Sequence, residues 1–502
     1  MTGGLVFIPS LAEMIGSAYH RRVVAALLFV ILAAVLLRMV NIGWSYSDNG
    51  IDEGVMVERV LMLDRGYSLY GDLPCDQAPL AFLVGSLLGG DVVSLRALVA
   101  IVSLFALGCC MYVSNRLGGA IAMLATGALL AVDFALVRES RLFSLDAMSA
   151  AFLAFSMAAF VLHLERKHMA LLALAGLLAG VACAFKLIGG LALLGILLFL
   201  LTETMRKGMT PKAAMTGAVV ASVSAAVPVI VLMLFLGPSE MIEGMVFDQG
   251  HREFDALLKV SLLVYFGVNV AFALPLICST RVWRSGPRER FLLLLVLAII
   301  AFMLIQPLVF LHHMVFLSPA LSVLAGLVVS RSIGSKKHPL ESVSSASEPK
   351  WACVRRAVIP ALIVSLVVSG GLSSYGLVAQ DEPAQIAWGR QVAQLTSADE
   401  YVICGDPLIA AYADRMMPPE VVNVAERQYP ELTLERLCGA VTEYNVSLVL
   451  ICYHLNDFED LPGFLESEGF VEIAPDMGMP DGKAVLDLFQ EGIDPVSLYV
   501  RL

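Results

Sequence analysis

The sequence predicts a mainly α-helical, polytopic membrane protein of about eleven transmembrane helices, followed by a small α/β domain outside the membrane. Three observations support this fold class. The 502 residues are 58% hydrophobic and only 15% charged, whereas soluble domains run nearer a quarter charged. The apolar residues fall in long runs, and a helix crosses a bilayer in about 20 residues. The net charge of −11 is also unevenly divided: residues 380–502 carry 22 acids and 6 bases (−16), leaving 22 acids and 27 bases (+5) in the first 379. The acidity therefore belongs to a soluble tail, and the membrane part is mildly basic. No basic stripe interleaved with aromatics is present, which excludes a nucleic-acid binder.

Taken in order, residues 1–22 lack a cleavage-site pattern and end in Arg21-Arg22 just before an apolar run. That pattern reads as an anchor and not a removed peptide. The first span is 23–43. An acidic external loop, 44–91, follows, with Asp48, Asp52, Glu53, Glu58, Asp64, Asp72, Asp76 and Asp91 in or beside it. Within it, 79–90 is apolar but too short to cross. The next spans are 92–114, 118–137, 147–164, 169–185, 187–202, 213–236, 259–278, 291–306, 314–330 and 357–378. The 34-residue run 169–202 is split at Lys186 and Gly189-Gly190.

Loop charge supports the count. With a cytoplasmic N-terminus and eleven crossings, 18 Lys and Arg residues lie on the cytoplasmic side and nine on the other, the tail excluded. Cytoplasmic loops carry the excess of Lys and Arg, so this bias sets the orientation. Merging 169–202 into one span would put Arg281, Arg284, Arg288 and Arg290 outside. Residues 332–356 form a Ser-rich, basic cytoplasmic linker, read as a solvated tether. From 379 onward EYVICGD, EVVNVA, VSLVLICYH and FVEIAPD read as strands and PELTLERLCGAVTEYN as an amphipathic helix, an alternation that indicates an α/β domain. The domains are thus 1–378 in the membrane and 379–502 outside it. The nine cysteines form no C-x-x-C pair, which argues against a zinc or redox site. Cys404, Cys438 and Cys452 leave room for one disulfide of open pairing.

Ionisable residues at or within spans are costly and so are functional candidates. On the external side these are Asp52 and Glu53 after span 1, Arg138, Glu139, Arg141 and Asp146 between spans 3 and 4, Lys186 between spans 5 and 6, and His312 and His313 before span 10. Carboxylates at one wall and cations at another suit transfer from a phosphate-linked donor. Each residue also has a plain structural role open to it. Asp52 would cap a helix ended by Gly66, Arg138 and Arg141 would snorkel, as would Lys186, and Asp146 would complement a helix dipole.

The stretch DEG, a helix, then RGYSLYGDLPCDQAPL resembles the first external loop of the GT-C superfamily of integral-membrane glycosyltransferases. It is closest to the family 39 branch of protein O-mannosyltransferases and lipid A aminoarabinose transferases. RESRLFSLDAMSAAF resembles that branch's A-R-x-x-x-x-D loop, FKLIGG its threonine–lysine–glycine turn with Phe185 in the threonine's place, and HHMVFLSPALSVLAGL its segment entering a late span. The tail stretch VICGDPLIAAYADRMMPPEVVNV is similar to the external domain of prokaryotic members. The resemblance implies a GT-C fold and an inverting glycosyltransferase acting at the extracytoplasmic face of the cell membrane. The implied substrates are a polyprenyl-phosphate sugar donor and a hydroxyl acceptor on protein, lipid or glycan. It implies Asp52 as catalytic base supported by Glu53, with Arg138, Arg141, Lys186, His312 and His313 at the donor phosphate. No cofactor is expected; some relatives use a divalent metal, but no residue pattern here calls for one. A transporter or lipid flippase is the alternative, since spans with intramembrane charge fit that class too, although no internal repeat is visible.

Overall fold

The computed structural model describes residues 18–44, 51–247, 254–334, 348–378, 383–424, 432–473 and 496–501. It is mostly helical, with one small sheet in the C-terminal region. A helix lies over each of the eleven expected segments. Among the described residues six are long and apolar enough to cross a bilayer on their own. A seventh candidate is the pair Leu257–Val268 and Val270–Ile277, bent by 95°. The chain is a multi-pass membrane protein.

The membrane part begins with α1 (Ala18–Met39). The external loop then forms α2 (Ile51–Asp64) and the short α3 (Leu80–Ser86) over the apolar stretch judged too short to cross. The 41-residue α4 (Val92–Val132) would be about 60 Å long if straight, twice a bilayer core. It breaks instead at Gly119, whose φ of +74° is a conformation that favours glycine. The break falls two residues beyond the 115–117 gap between expected spans 2 and 3. After α5 (Phe134–Glu139) come α6 (Leu145–Arg166), α7 (Met169–Phe185), α8 (Leu191–Met205) and α9 (Pro211–Leu236). The bent pair forms α10 (Val260–Val268) and α11 (Val270–Ile277), followed by α12 (Pro287–Ile305), α13 (Ser318–Gly334) and α14 (Glu348–Val378). Alanine, glycine and serine line many helix contacts, for example Ala122, Thr126 and Ser114 against Gly326. Lipid removes the hydrophobic drive between helices, so close backbone approach takes over. The expected linker at 332–356 is partly helical, because α13 reaches Gly334 and α14 starts at Glu348. Its centre, 335–347, lies outside the described residues.

The C-terminal α/β unit has strands β1 (Val402–Cys404), β2 (Leu448–Ile451), β3 (Phe470–Ile473) and β4 (Ser497–Arg501) in the order β1-β2-β4-β3. β1 and β2 are parallel with Val402 opposite Leu448, and β4 runs antiparallel to both of its neighbours. The helices α15 (Ala384–Leu395), α16 (Pro407–Ala413), α17 (Leu434–Glu443) and α18 (Leu461–Ser467) pack around it. Two expectations are corrected here. EVVNVA is no strand: Pro419–Val421 is a 3-10 turn whose apolar side chains enter the core directly. Cys404, Cys438 and Cys452 are not joined in a disulfide.

Candidate active site

Helix α2 is wedged between the two parts of the chain. Its Val57, Val60 and Leu61 share a core with Phe82, Leu95, Phe143, Leu145 and Phe185 of the membrane part. Its Ile51, Val55 and Met62 share another with Trp388, Ile409 and Val402 of the α/β unit. A surface helix keeps one polar face, yet ten of these fourteen residues are buried. The wedge is tight at Gly54, where a Cβ would lie 2.2 Å from the Leu408 amide nitrogen.

Five of the eight acids in or beside the loop are occupied within the protein. Asp91 caps α4 by accepting the Ser94 N–H at 2.8 Å, and Asp72 accepts from the Ser68 amide and hydroxyl. Asp76 pairs with buried Arg59 at 3.6 Å. Glu58 accepts the Met417 N–H at 3.2 Å, and burial pushes its carboxyl up to about 8 from an ordinary 4.5, with that N–H pulling the other way. Glu53 accepts from Arg96 Nε at 2.7 Å and Nη2 at 2.6 Å, and from the Phe143 N–H at 2.8 Å. Of the rest, Asp48 lies outside the described residues, while Asp52 and Asp64 are exposed at opposite ends of α2. Asp52 sits inside the first turn, where the helix dipole favours a carboxylate.

The Glu53–Arg96 pair is almost fully buried and bidentate, the strong form of an ion pair. Arg96 spends its remaining nitrogen on the Ile42 and Gly43 carbonyls and on the Tyr412 hydroxyl, at 3.2, 3.0 and 2.9 Å. Through Phe143 the same pair reaches the 138–146 loop. There Glu139 pairs with Arg138 at 2.7 Å and accepts from Ser144 Oγ at 2.6 Å.

The structure brings together some of the predicted cations and not others. Lys186 Nζ lies 2.6 Å from Asp146 Oδ2, across the mouth of α6 and α7, and the ammonium keeps 21% exposure. His312 and His313 flank the same carboxylate, with nitrogen and oxygen atoms of Asp146, His312 and His313 within 4.8 Å of one another. Arg138 is half-buried beside Glu139. Arg141 stands apart: it donates to the Leu37 and Asn41 carbonyls at 3.1 and 3.2 Å, at the C-terminal end of α1.

A divalent cation fits the Asp146 cluster poorly. The Phe310 N–H donates to His313 Nδ1 at 3.1 Å, so neutral His313 carries its proton on Nε2. A metal-bound histidine does the reverse, donating its second nitrogen to an acceptor. With Lys186 already on Asp146, the set is better matched to an anion, toward which an ammonium and imidazole N–H groups are donors.

Sequence reasoning missed Arg96 and Tyr412. Arg96 had a readable signal, an ionisable residue inside an apolar span. Tyr412 had none, because nothing local in the tail points back to the first loop.

An acid helix clamped over a bundle of apolar helices, with an α/β unit on its far side, is the arrangement of a multi-pass membrane protein, and the following matches give it the GT-C fold that the sequence resemblance implied. Residues 81–240 match the family model described as dolichyl-phosphate-mannose-protein mannosyltransferase. The fold is similar to that of ArnT from Cupriavidus metallidurans in its apo state, at a TM-score of 0.59 and 16% identity over 86% of this chain and 93% of that one. ArnT bound to undecaprenyl phosphate is similar at 0.59 and 16%, over 92% and 97%. The archaeal oligosaccharyltransferase AglB from Archaeoglobus fulgidus, in complex with an inhibitory peptide and a dolichol-phosphate, is similar at 0.56 and 14%, over 91% and 74%. No curated protein sequence matches the chain.

Proposed function

We propose that the protein is an inverting glycosyltransferase that moves a sugar from a polyprenyl-phosphate donor to an acceptor hydroxyl on the extracytoplasmic side of the membrane. The observation behind this reading is the division of charge at the site. An exposed carboxylate, Asp52, stands at the start of a clamped helix, and Lys186, His312 and His313 cluster around Asp146. Solved relatives of this fold hold undecaprenyl phosphate or dolichol-phosphate, and the family model spans 81–240, which includes Asp146 and Lys186.

In the proposed reaction the acceptor oxygen attacks the anomeric carbon while the bond from that carbon to the phosphate oxygen breaks. The acceptor proton passes to the Asp52 carboxylate. The polyprenyl phosphate leaves with the bonding electron pair, and Lys186, His312 and His313 stabilise its charge, with Arg138 nearby. Glu53, whose two oxygens are engaged, positions the helix that presents Asp52. Arg141 contributes indirectly, by holding the end of α1.

Transfer of labelled sugar from polyprenyl phosphate by the purified protein in detergent tests the reading, with Asp52→Asn as the control. Loss of a general base costs roughly 100- to 10,000-fold. The amide leaves the first turn of α2 intact, so donor binding and folding should persist. An Asp52→Asn rate within about threefold of wild type, a loss far smaller than that range, would remove the base from Asp52.

A further inference from the structure

The α/β unit reaches the acid helix through a connection that the proposed reaction has not yet used. Tyr412, at the end of α16, donates its hydroxyl hydrogen to the Gly43 carbonyl at 2.9 Å and accepts from Arg96 Nη1 at 2.9 Å. Its ring lies under the Arg96 guanidinium, 5.8 Å from centroid to Cζ. Arg96 in turn grips both oxygens of Glu53. The next residue, Gly54, abuts the Pro407–Leu408 backbone at the start of α16. The start of α2 is thus enclosed by the end of α1, by α4 and by α16.

From this enclosure we infer that Tyr412 is a positioning residue: the α/β unit clamps the first turn of α2 through Tyr412–Arg96–Glu53 and so sets where Asp52 stands. The inference rests on the proposed transfer reaction, but the clamp has its own readout. Four groups saturate Arg96: Glu53, the Ile42 and Gly43 carbonyls, and Tyr412. Of these, only Tyr412 comes from a part of the chain with no covalent link nearby. Its hydroxyl also donates to the Gly43 carbonyl, so removing it takes one contact from Arg96 and one from Gly43, which keep only their bond to each other and, for Arg96, those to Ile42 and Glu53. Tyr412→Phe keeps the ring under Arg96 and removes only the hydroxyl, which makes it the conservative probe; Tyr412→Ala removes both.

The test uses the full-length protein in detergent, with two measurements on wild type, Tyr412→Phe and Tyr412→Ala. One is hydrogen–deuterium exchange over residues 51–64. The other is the split between kcat and the donor KM. The expected result is faster exchange at the start of α2 and a kcat lower by roughly 10- to 100-fold, the range for a lost hydrogen bond to a charged group, with donor KM within about twofold. Tyr412→Ala should exceed Tyr412→Phe in both measurements. Unchanged exchange in both variants overturns the clamp whatever the rates do. Faster exchange with an unchanged kcat overturns the positioning role. If the wild type transfers no sugar, the proposed reaction fails, while faster exchange in the variants still supports the clamp.

Discussion

Asp52 and Glu53 are neighbours with opposite surroundings, and substitutions at the two should separate accordingly. Asp52 is exposed, so Asp52→Asn should silence turnover and leave the melting temperature nearly unchanged. Glu53 is buried on Arg96, and removing one partner of a buried pair strands the other charge at a cost of about 3–5 kcal/mol. Glu53→Gln should therefore lower thermal stability strongly, as should Arg96→Met, and the double variant should lose less than the sum of the two. Melting curves in detergent check this, and additive losses would mean that the two side chains do not act as a pair. Lys186 has Asp146 as its partner in the protein, which leaves its ammonium two further N–H groups for a phosphate. Lys186→Met should weaken donor binding roughly 10- to 150-fold, the span of a charge-assisted contact. Lys186→Arg should recover part of it, because a planar fork replaces a point charge. Equal donor affinity in Lys186→Met and wild type would reduce the residue to a holder of Asp146.

At the scale of one element, α2 carries a buried acid whose titration is tied to docking. Glu58 faces the Met417 N–H, and burial raises its carboxyl to about 8. The charges around it are Arg65 and Asp414, which pair with each other at 3.2 Å. Below pH 4.5 folded and unfolded chains both hold the proton. Between about 4.5 and 8 only the folded chain holds it, so unfolding releases a proton and rising pH favours unfolding. Stability should fall by up to about 1.4 kcal/mol per pH unit across that window and level off above it. Glu58→Gln should flatten the curve and melt higher than wild type at pH 8, with little difference at pH 4.5. Matching pH profiles for the two proteins would place Glu58 in water. The existence of α2 was legible from Asp52 at its start and Gly66 at its end, although Asp52 lies in the first turn and not at the cap. Its burial on both faces was not, because a helix with charges at 52, 53, 58, 59, 64 and 65 looks solvated until its partners are known. The same limit hid β4: Ser497–Arg501 is a short strand whose place in the sheet is set by β2 and β3 and not by its own pattern.

For the whole molecule, apolar run length located every long helix, including the division of 169–202 and, to within two residues of Gly119, the separation of spans 2 and 3. Hydrocarbon length and Lys/Arg placement are local properties, so the sequence displays them openly. The cluster at Asp146 was legible only as loops opening on one face, and its pairings required coordinates. The orientation expected from loop charge gives a further prediction. Single cysteines placed at Ser68 and at Ser467 in the α/β unit should react with an impermeant reagent from outside intact cells, while one at Ser285 should not. Labelling at Ser285 together with Ser467 would break the eleven-span arrangement.

The contact between Arg96 and Tyr412 joins residues 316 positions apart, and that distance has a consequence for biosynthesis. A ribosome adding about 5–20 residues per second needs roughly 15–60 s to travel from one to the other. Throughout that interval the membrane helices can insert and pack, but the turn bearing Asp52 lacks one of its walls. A nascent chain stalled or cleaved before residue 412 would therefore hold its carboxylate in an open setting. Competence would arrive only after residue 412 had been made.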